Sequence, residues 1–105
     1  MKARFEWDVA KAASNRRKHR ISFDTAALAF DDPLALVEQD RIEHGEERWQ
    51  TIGKVEGRLL LLVAHTVRDD EEEDQPVEII RIISAREATP GERRRYEQQN
   101  GSACP

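Results

Sequence analysis

The sequence predicts an α+β domain with two helices at the N-terminal end, an antiparallel sheet of about four strands, and one C-terminal helix. Three observations carry this. Apolar residues in the first thirty positions recur at helical spacing, and those between positions 34 and 84 fall in short runs separated by polar turns. Thr89-Pro90-Gly91-Glu92 then has the composition of a fresh helix start. At 105 residues the chain holds one core, so a single domain is expected over 1–99, with 100–105 as a flexible tail.

Each element has its own local reason. Phe5–Trp7 reads as a short strand or anchoring turn, and Asp8 as the N-cap of a helix running to about His19. Val9, Ala12 and Ala13 with the Arg16 stem would share its buried side, and Lys11, Asn15 and Lys18 its wet side. Ser22 caps a second helix with Phe23, Ala26, Ala27 and Phe30 inward, stopped by Asp31-Asp32-Pro33. Strands are expected at Leu34–Gln39, Arg48–Gly53, Arg58–Val67 and Val77–Ser84. Polar loops are expected at Asp40–Glu46 and Asp69–Gln75, and a hairpin turn at Lys54–Gly57. Thr89 and Glu92 form a capping box for the last helix, which should end near Asn100-Gly101.

Composition excludes several classes. The longest apolar run, Leu59–Ala64, is far below the roughly 20 residues that span a bilayer, and no membrane association is expected. Met1–Asp8 has no apolar stretch of the kind that starts a secretory signal, and the lone Cys104 has no internal disulfide partner; the reducing cytoplasm is the expected compartment. Net charge is −4, yet it is unevenly spread: residues 1–20 carry +5, 21–50 carry −6, 51–80 carry −5 and 81–105 carry +2. Much of the acid sits in Asp69-Asp70-Glu71-Glu72-Glu73-Asp74. A phosphate-binding face is therefore available if the fold joins the basic ends and holds that run apart.

His19, His44 and His65 are far apart and form no compact ligand motif, so no metal or other cofactor is expected. What stands out is cationic side chains set in apolar strands: Arg48 beside Trp49, His65 ending the most apolar strand, Arg81 inside Ile79-Ile80-Arg81-Ile82-Ile83, and Arg86 just beyond. Alternation points Arg81 away from Ile80 and Ile82, onto a face shared with Ile79 and Ile83. Plainer readings stand beside these. Arg81 pairs with Glu78 or an acid on the neighbouring strand, His65 is a satisfied strand-end histidine, and Lys18 and His19 complement a helix C-terminus. In the same way Arg93, Arg94 and Arg95 are a solvated helix face, and Tyr96, Trp7 and Trp49 are packing residues.

Taken in order, these features resemble the BrnT toxins of type II toxin–antitoxin systems, small ribonucleases with a RelE-like fold. The resemblance runs from Phe5 to about Glu97. Its marks are Phe5-Glu6-Trp7-Asp8, Lys11 with Asn15, Lys18-His19, Ser22-Phe23, Phe30-Asp31-Asp32-Pro33, Gly45-Glu46-Glu47-Arg48, Ile52-Gly53 and Gly57-Arg58-Leu59-Leu60. They end with His65-Thr66, Arg81-Ile82-Ile83-Ser84-Ala85-Arg86, Ala88-Thr89, Glu92-Arg93-Arg94 and Tyr96. The resemblance implies metal-independent RNA cleavage that inhibits translation. It implies neutralisation by a BrnA-like ribbon-helix-helix antitoxin in a 2:2 complex, with DNA contacted only through that antitoxin. The alternative is a catalytically weak toxin-like module that acts with an antitoxin in promoter autoregulation. Two departures matter. Arg20 stands where the family usually has glycine after Lys-His, which costs about 1 kcal/mol if the backbone is left-handed there. The loop between the last two strands, normally short, is lengthened by Asp69–Gln75.

On this reading His65 handles proton transfer, Glu47 is a second base, and Arg48, Arg81 and Arg86 hold the phosphate. Lys18, His19, Arg58, Arg93, Arg94 and Tyr96 contact RNA. The expectation that binds these together is spatial: His65, Arg48, Arg81 and Arg86 should surround one phosphate-sized hollow.

Overall fold

A computed structural model describes residues 2–100. The elements run β1 (Lys2–Glu6), α1 (Val9–His19), α2 (Phe23–Ala27), a 3-10 turn (Leu28–Asp31), β2 (Leu36–Glu43), β3 (Glu46–Val55), β4 (Leu59–Glu72), β5 (Gln75–Glu87) and α3 (Pro90–Gln99). All five strands form one sheet in the order β1-β5-β4-β3-β2. Strands β2 to β5 are an antiparallel meander, and β1 adds to the edge parallel to β5. The expected α+β class holds, but the sheet is mixed and has five strands, because Lys2–Glu6 pairs where only Phe5–Trp7 was expected to be extended.

The helix starts follow their caps. Asp8 accepts from the backbone of Ala10 and Lys11, Ser22 from Thr25, and Thr89 with Glu92 completes the capping box. The expected inner side of α1 is corrected. Val9 is 79% exposed and Asn15 is the buried member. Asn15 is buried because β1 covers β5 only as far as Arg81, leaving the next stretch of edge bare. Its carboxamide closes that edge: Nδ2 donates to Ala85 O at 2.9 Å and Ile21 O at 3.0 Å, and Ala85 N donates to Oδ1 at 3.1 Å. The amide thus replaces a missing strand.

Both expected polar loops are in fact paired strand. Asp40–Glu43 belongs to β2, and Asp69–Glu72 pairs with Gln75–Glu78. The connections shrink to His44-Gly45 and Glu73-Asp74, whose backbones are left-handed (φ +54° and +77°, +49° and +65°), the twist that suits tight hairpins. The acidic run is therefore part of a paired hairpin. Arg20 has φ +63°, so arginine does occupy the left-handed position at the end of α1.

Two apolar clusters lie on opposite sides of the sheet. On one side Phe23, Ala26 and Ala29 pack with Val55, Leu61, Val63, Ile82 and Ala85; Trp7 meets Phe23 edge-on at 5.9 Å. Gly53 sits under the 3-10 turn so closely that a Cβ there would lie 2.3 Å from Ala29 O. On the other side Tyr96 of α3 packs with Ile52, Leu60 and Leu62. Among the described residues no helix is long and apolar enough to cross a membrane. The expected tail, Cys104 included, falls outside the described residues apart from Asn100.

Candidate functional site

Register decides which side chains meet. Opposed residues on neighbouring strands share a face, and successive residues on one strand alternate. Trp49 pairs with His65, Arg81 with Thr66, and Arg86 with Leu62, a member of the Tyr96 cluster. His65 thus points to the α2 face, where its ring meets Phe30 edge-on at 4.9 Å. Arg81 and Arg86 point to the α3 face. Arg48, two and four residues from Gln50 and Ile52, shares that face. The single hollow expected around all four residues does not form, because a sheet lies between the imidazole and the guanidiniums.

On the α3 face Arg48, Thr66, Arg81 and Glu6 occupy adjacent positions across β3, β4, β5 and β1. Arg81 Nη1 donates to Glu6 Oε2 at 3.1 Å, and Arg68 donates to both Glu6 oxygens at 2.9 and 3.2 Å. The Arg68 hydrogen bond, more than Arg81, holds Glu6 below the usual carboxylate range against the opposing effect of burial. Arg86 grips Glu92 with two bonds of 2.8 Å, and that grip first of all lowers the Glu92 carboxyl to about 2. Arg95 crosses from α3 to Glu38 at 3.1 and 3.2 Å. Arg48 differs from all of these. Its carboxylate neighbour, Glu43, is 4.0 Å away, its side chain is 17% exposed, and its Nε is buried with no hydrogen-bond partner.

Lys18 and His19 border this face from the end of α1. They line a hollow with Lys11, Ser14, Asn15, Ile83 and Ser84. Ser84 pairs with Ala64, whereas the next pair is His65 with Ile82, so Ile83 is a bulge that turns Ser84 toward the arginine side.

The α2 face carries different chemistry. Beyond the 3-10 turn, Phe30, Val37, Trp49, Thr51, Val67 and Ile80 form an open groove, rimmed by Glu47, Asp69 and Glu78. His65 lines it at 2% exposure; Nε2 is 2.8 Å from Thr51 Oγ1, and Nδ1 has no partner. Burial pulls its pKa down to about 4, so the ring is neutral near pH 7. Carboxylates without a guanidinium among the lining residues repel phosphate.

A family model described as the ribonuclease toxin BrnT of type II toxin–antitoxin systems matches residues 7–92. The chain belongs to the BrnT family. Among solved structures, the 1.1 Å crystal structure of the Brucella abortus ribonuclease toxin BrnT is similar, with a TM-score of 0.54 and 22% identity over 85% of this chain and 99% of that one. At that identity the likeness concerns the fold. No curated protein matches the chain. Membership makes this chain one of the ribonuclease toxins of type II systems, a class that works with an antitoxin.

Within this BrnT-family fold the remaining sequence-expected residues divide. Glu47 is exposed beside His65 and away from the arginines. Tyr96 is 5% exposed, packs in the core and donates to Asp32 Oδ2 at 2.6 Å; burial and that bond raise its pKa to about 12. Arg58 lies in the β3–β4 turn, seven residues along β3 from Arg48 at its nearest strand end, or about 20 Å from the row. Arg93 is half-buried and Arg94 exposed on α3. Sequence reasoning missed Thr66 and Glu6 in the row and Arg68 beside it; only the β1–β5 register reveals Glu6 as Arg81's partner. Among the described residues no group of three or more His, Cys, Asp or Glu is arranged to hold a metal ion.

Proposed function

We propose that this chain cleaves RNA on its α3 face, with Arg48 and Arg81 as the phosphate clamp. The carrying observation is the half-used guanidinium of Arg48, whose buried Nε has no internal acceptor although Arg81 stands one strand beyond Thr66. With Glu43 no nearer than 4.0 Å, the Nη donors of Arg48 are left for a scissile phosphate between the two arginines. As the 2′-hydroxyl attacks, charge builds on the phosphoryl oxygens, and the two forks gain more there than in the ground state. Arg86, fixed by Glu92, and Lys18 extend the positive track along the strand. His19, lining the hollow with Ser84, supplies the imidazole on this side: it takes the 2′-hydroxyl proton as that oxygen bonds to phosphorus and returns it to the 5′-oxygen as the P–O5′ bond breaks. Chemistry through the 2′-hydroxyl spares DNA and uses side chains alone. Cleavage of messenger RNA in the cytoplasm then inhibits translation, and a BrnA-like ribbon-helix-helix antitoxin in a 2:2 assembly both neutralises the chain and carries it to promoter DNA.

One observation favours the second reading, a binding module with little catalysis. Arg68, Arg81, Arg86 and Arg95 are each already paired with a carboxylate. Induction without antitoxin separates the two. The first reading expects growth arrest, relieved by Arg48→Ala or Arg81→Ala at equal expression and equal melting temperature. Unimpaired growth of cells expressing the parent chain, with antitoxin binding intact, supports the module instead.

A further inference from the structure

We propose that the groove on the α2 face is the docking surface for the antitoxin, entered by a cationic segment that carries an apolar anchor. The inference takes the existence of an antitoxin from family membership and does not depend on where RNA binds.

Two observations converge on this groove. Exposed apolar side chains gather there: Val37 and Val67 line it at 55% and 37% exposure, and Ile42, paired with the rim residue Glu47, adds 66% on the same face. Trp49 and Ile80 continue the apolar wall. Solvent contact over such a surface is unfavourable, and a soluble domain seldom keeps one without a use. The rim is the second observation. Glu47, Asp69 and Glu78 surround the apolar wall, and Asp69 begins the acidic hairpin arm.

Charge selects the occupant. Three carboxylates reject a nucleic acid. A second copy related by a two-fold axis would bring the same carboxylates face to face. A lysine- or arginine-bearing peptide segment with an apolar side chain meets both the rim and the wall. The sheet separates this groove from the arginine row, so partner binding and RNA cleavage are separable by mutation.

The test titrates the purified chain with its purified antitoxin, following Trp49 fluorescence and heat. Asp69→Lys with Glu78→Lys, and separately Val67→Asp, should each raise Kd at least tenfold while leaving RNA cleavage and the melting temperature unchanged. Arg95→Ala on the opposite face should stay within twofold. Trp49→Phe should remove most of the fluorescence change. The proposal is overturned if groove variants bind within twofold of the parent, if the parent does not bind, or if the chain alone dimerises and Val67→Asp dissolves the dimer. A chain that cleaves no RNA but shows this binding pattern sinks only the nuclease reading.

Discussion

Replacing Asn15 with alanine removes the amide that closes the β5 edge. The side chain is 7% exposed and makes three bonds to backbone groups, two of them to Ala85. Truncation leaves the Ala85 N–H and C=O in the interior without partners. A buried group stranded this way costs about 1–3 kcal/mol, with carbonyls at the low end because their second lone pair tolerates poor pairing. The expected loss is about 3 kcal/mol, or a fall of about 15 °C in melting temperature for a domain of this size. Urea unfolding followed by tryptophan fluorescence gives the value directly, with Ser14→Ala, exposed in the same helix, expected within about 0.5 kcal/mol of the parent. Asn15→Asp separates the two kinds of bond. It keeps the acceptor for Ala85 N but aims an anionic oxygen at two carbonyls, so it should be worst at neutral pH and recover as acid protonates it. A loss below about 0.5 kcal/mol for Asn15→Ala would refute the edge-closing role, because no rearrangement of α1 supplies those bonds for free.

Three further outcomes follow from the same geometry. His65 has a folded pKa of about 4 against its ordinary value of 6.5, so the unfolded chain binds the extra proton between those values. Stability present above pH 6.5 should fall by about 3 kcal/mol as pH drops through 4, a slope that His65→Gln should flatten in urea titrations at each pH. Arg20→Gly should raise stability by about 1 kcal/mol, seen as a higher urea midpoint at unchanged slope, because glycine carries no Cβ penalty at φ +63°. Gly53→Ala should cost about 2–3 kcal/mol, since the added methyl meets Ala29 backbone at 2.3 Å and one layer must move; a neutral result would show that the 3-10 turn shifts easily.

Local signals in the sequence were reliable where the cause is local. Asp8, Ser22 and Thr89 cap the three helices because a capping oxygen needs only the next turn's amides. Alternation also places Arg81 opposite Ile80 and beside Ile79. Ile83 escapes it, because the bulge after Ile82 depends on the partner strand. The acidic arm was illegible for a similar reason. Asp and Glu have low strand propensity, so Asp69–Glu72 reads as solvent-loving coil; the pairing of Arg4 with Glu72 and of β4 with β5 overrides this only after the hairpin registers. The site suffered most. That His65 and Arg81 face opposite ways is a property of register between strands about 16 residues apart, and a one-residue slip would have put them together. Asn15 shares its helix side with lysines in sequence, and only the bare edge of β5 shows why it is buried.

The most direct test of the central claim is cleavage by purified protein. A 5′-labelled RNA and the DNA of the same sequence are incubated with parent, Arg48→Ala, Arg81→Ala, Glu47→Ala and His65→Gln chains of verified fold. RNA alone should be cut, either arginine change should slow cleavage about 100-fold, and Glu47→Ala and His65→Gln should stay within about threefold of the parent, far short of the loss for a catalytic group. Cleavage that survives both arginine changes but collapses with Glu47 or His65 would move the chemistry to the α2 face and contradict the account.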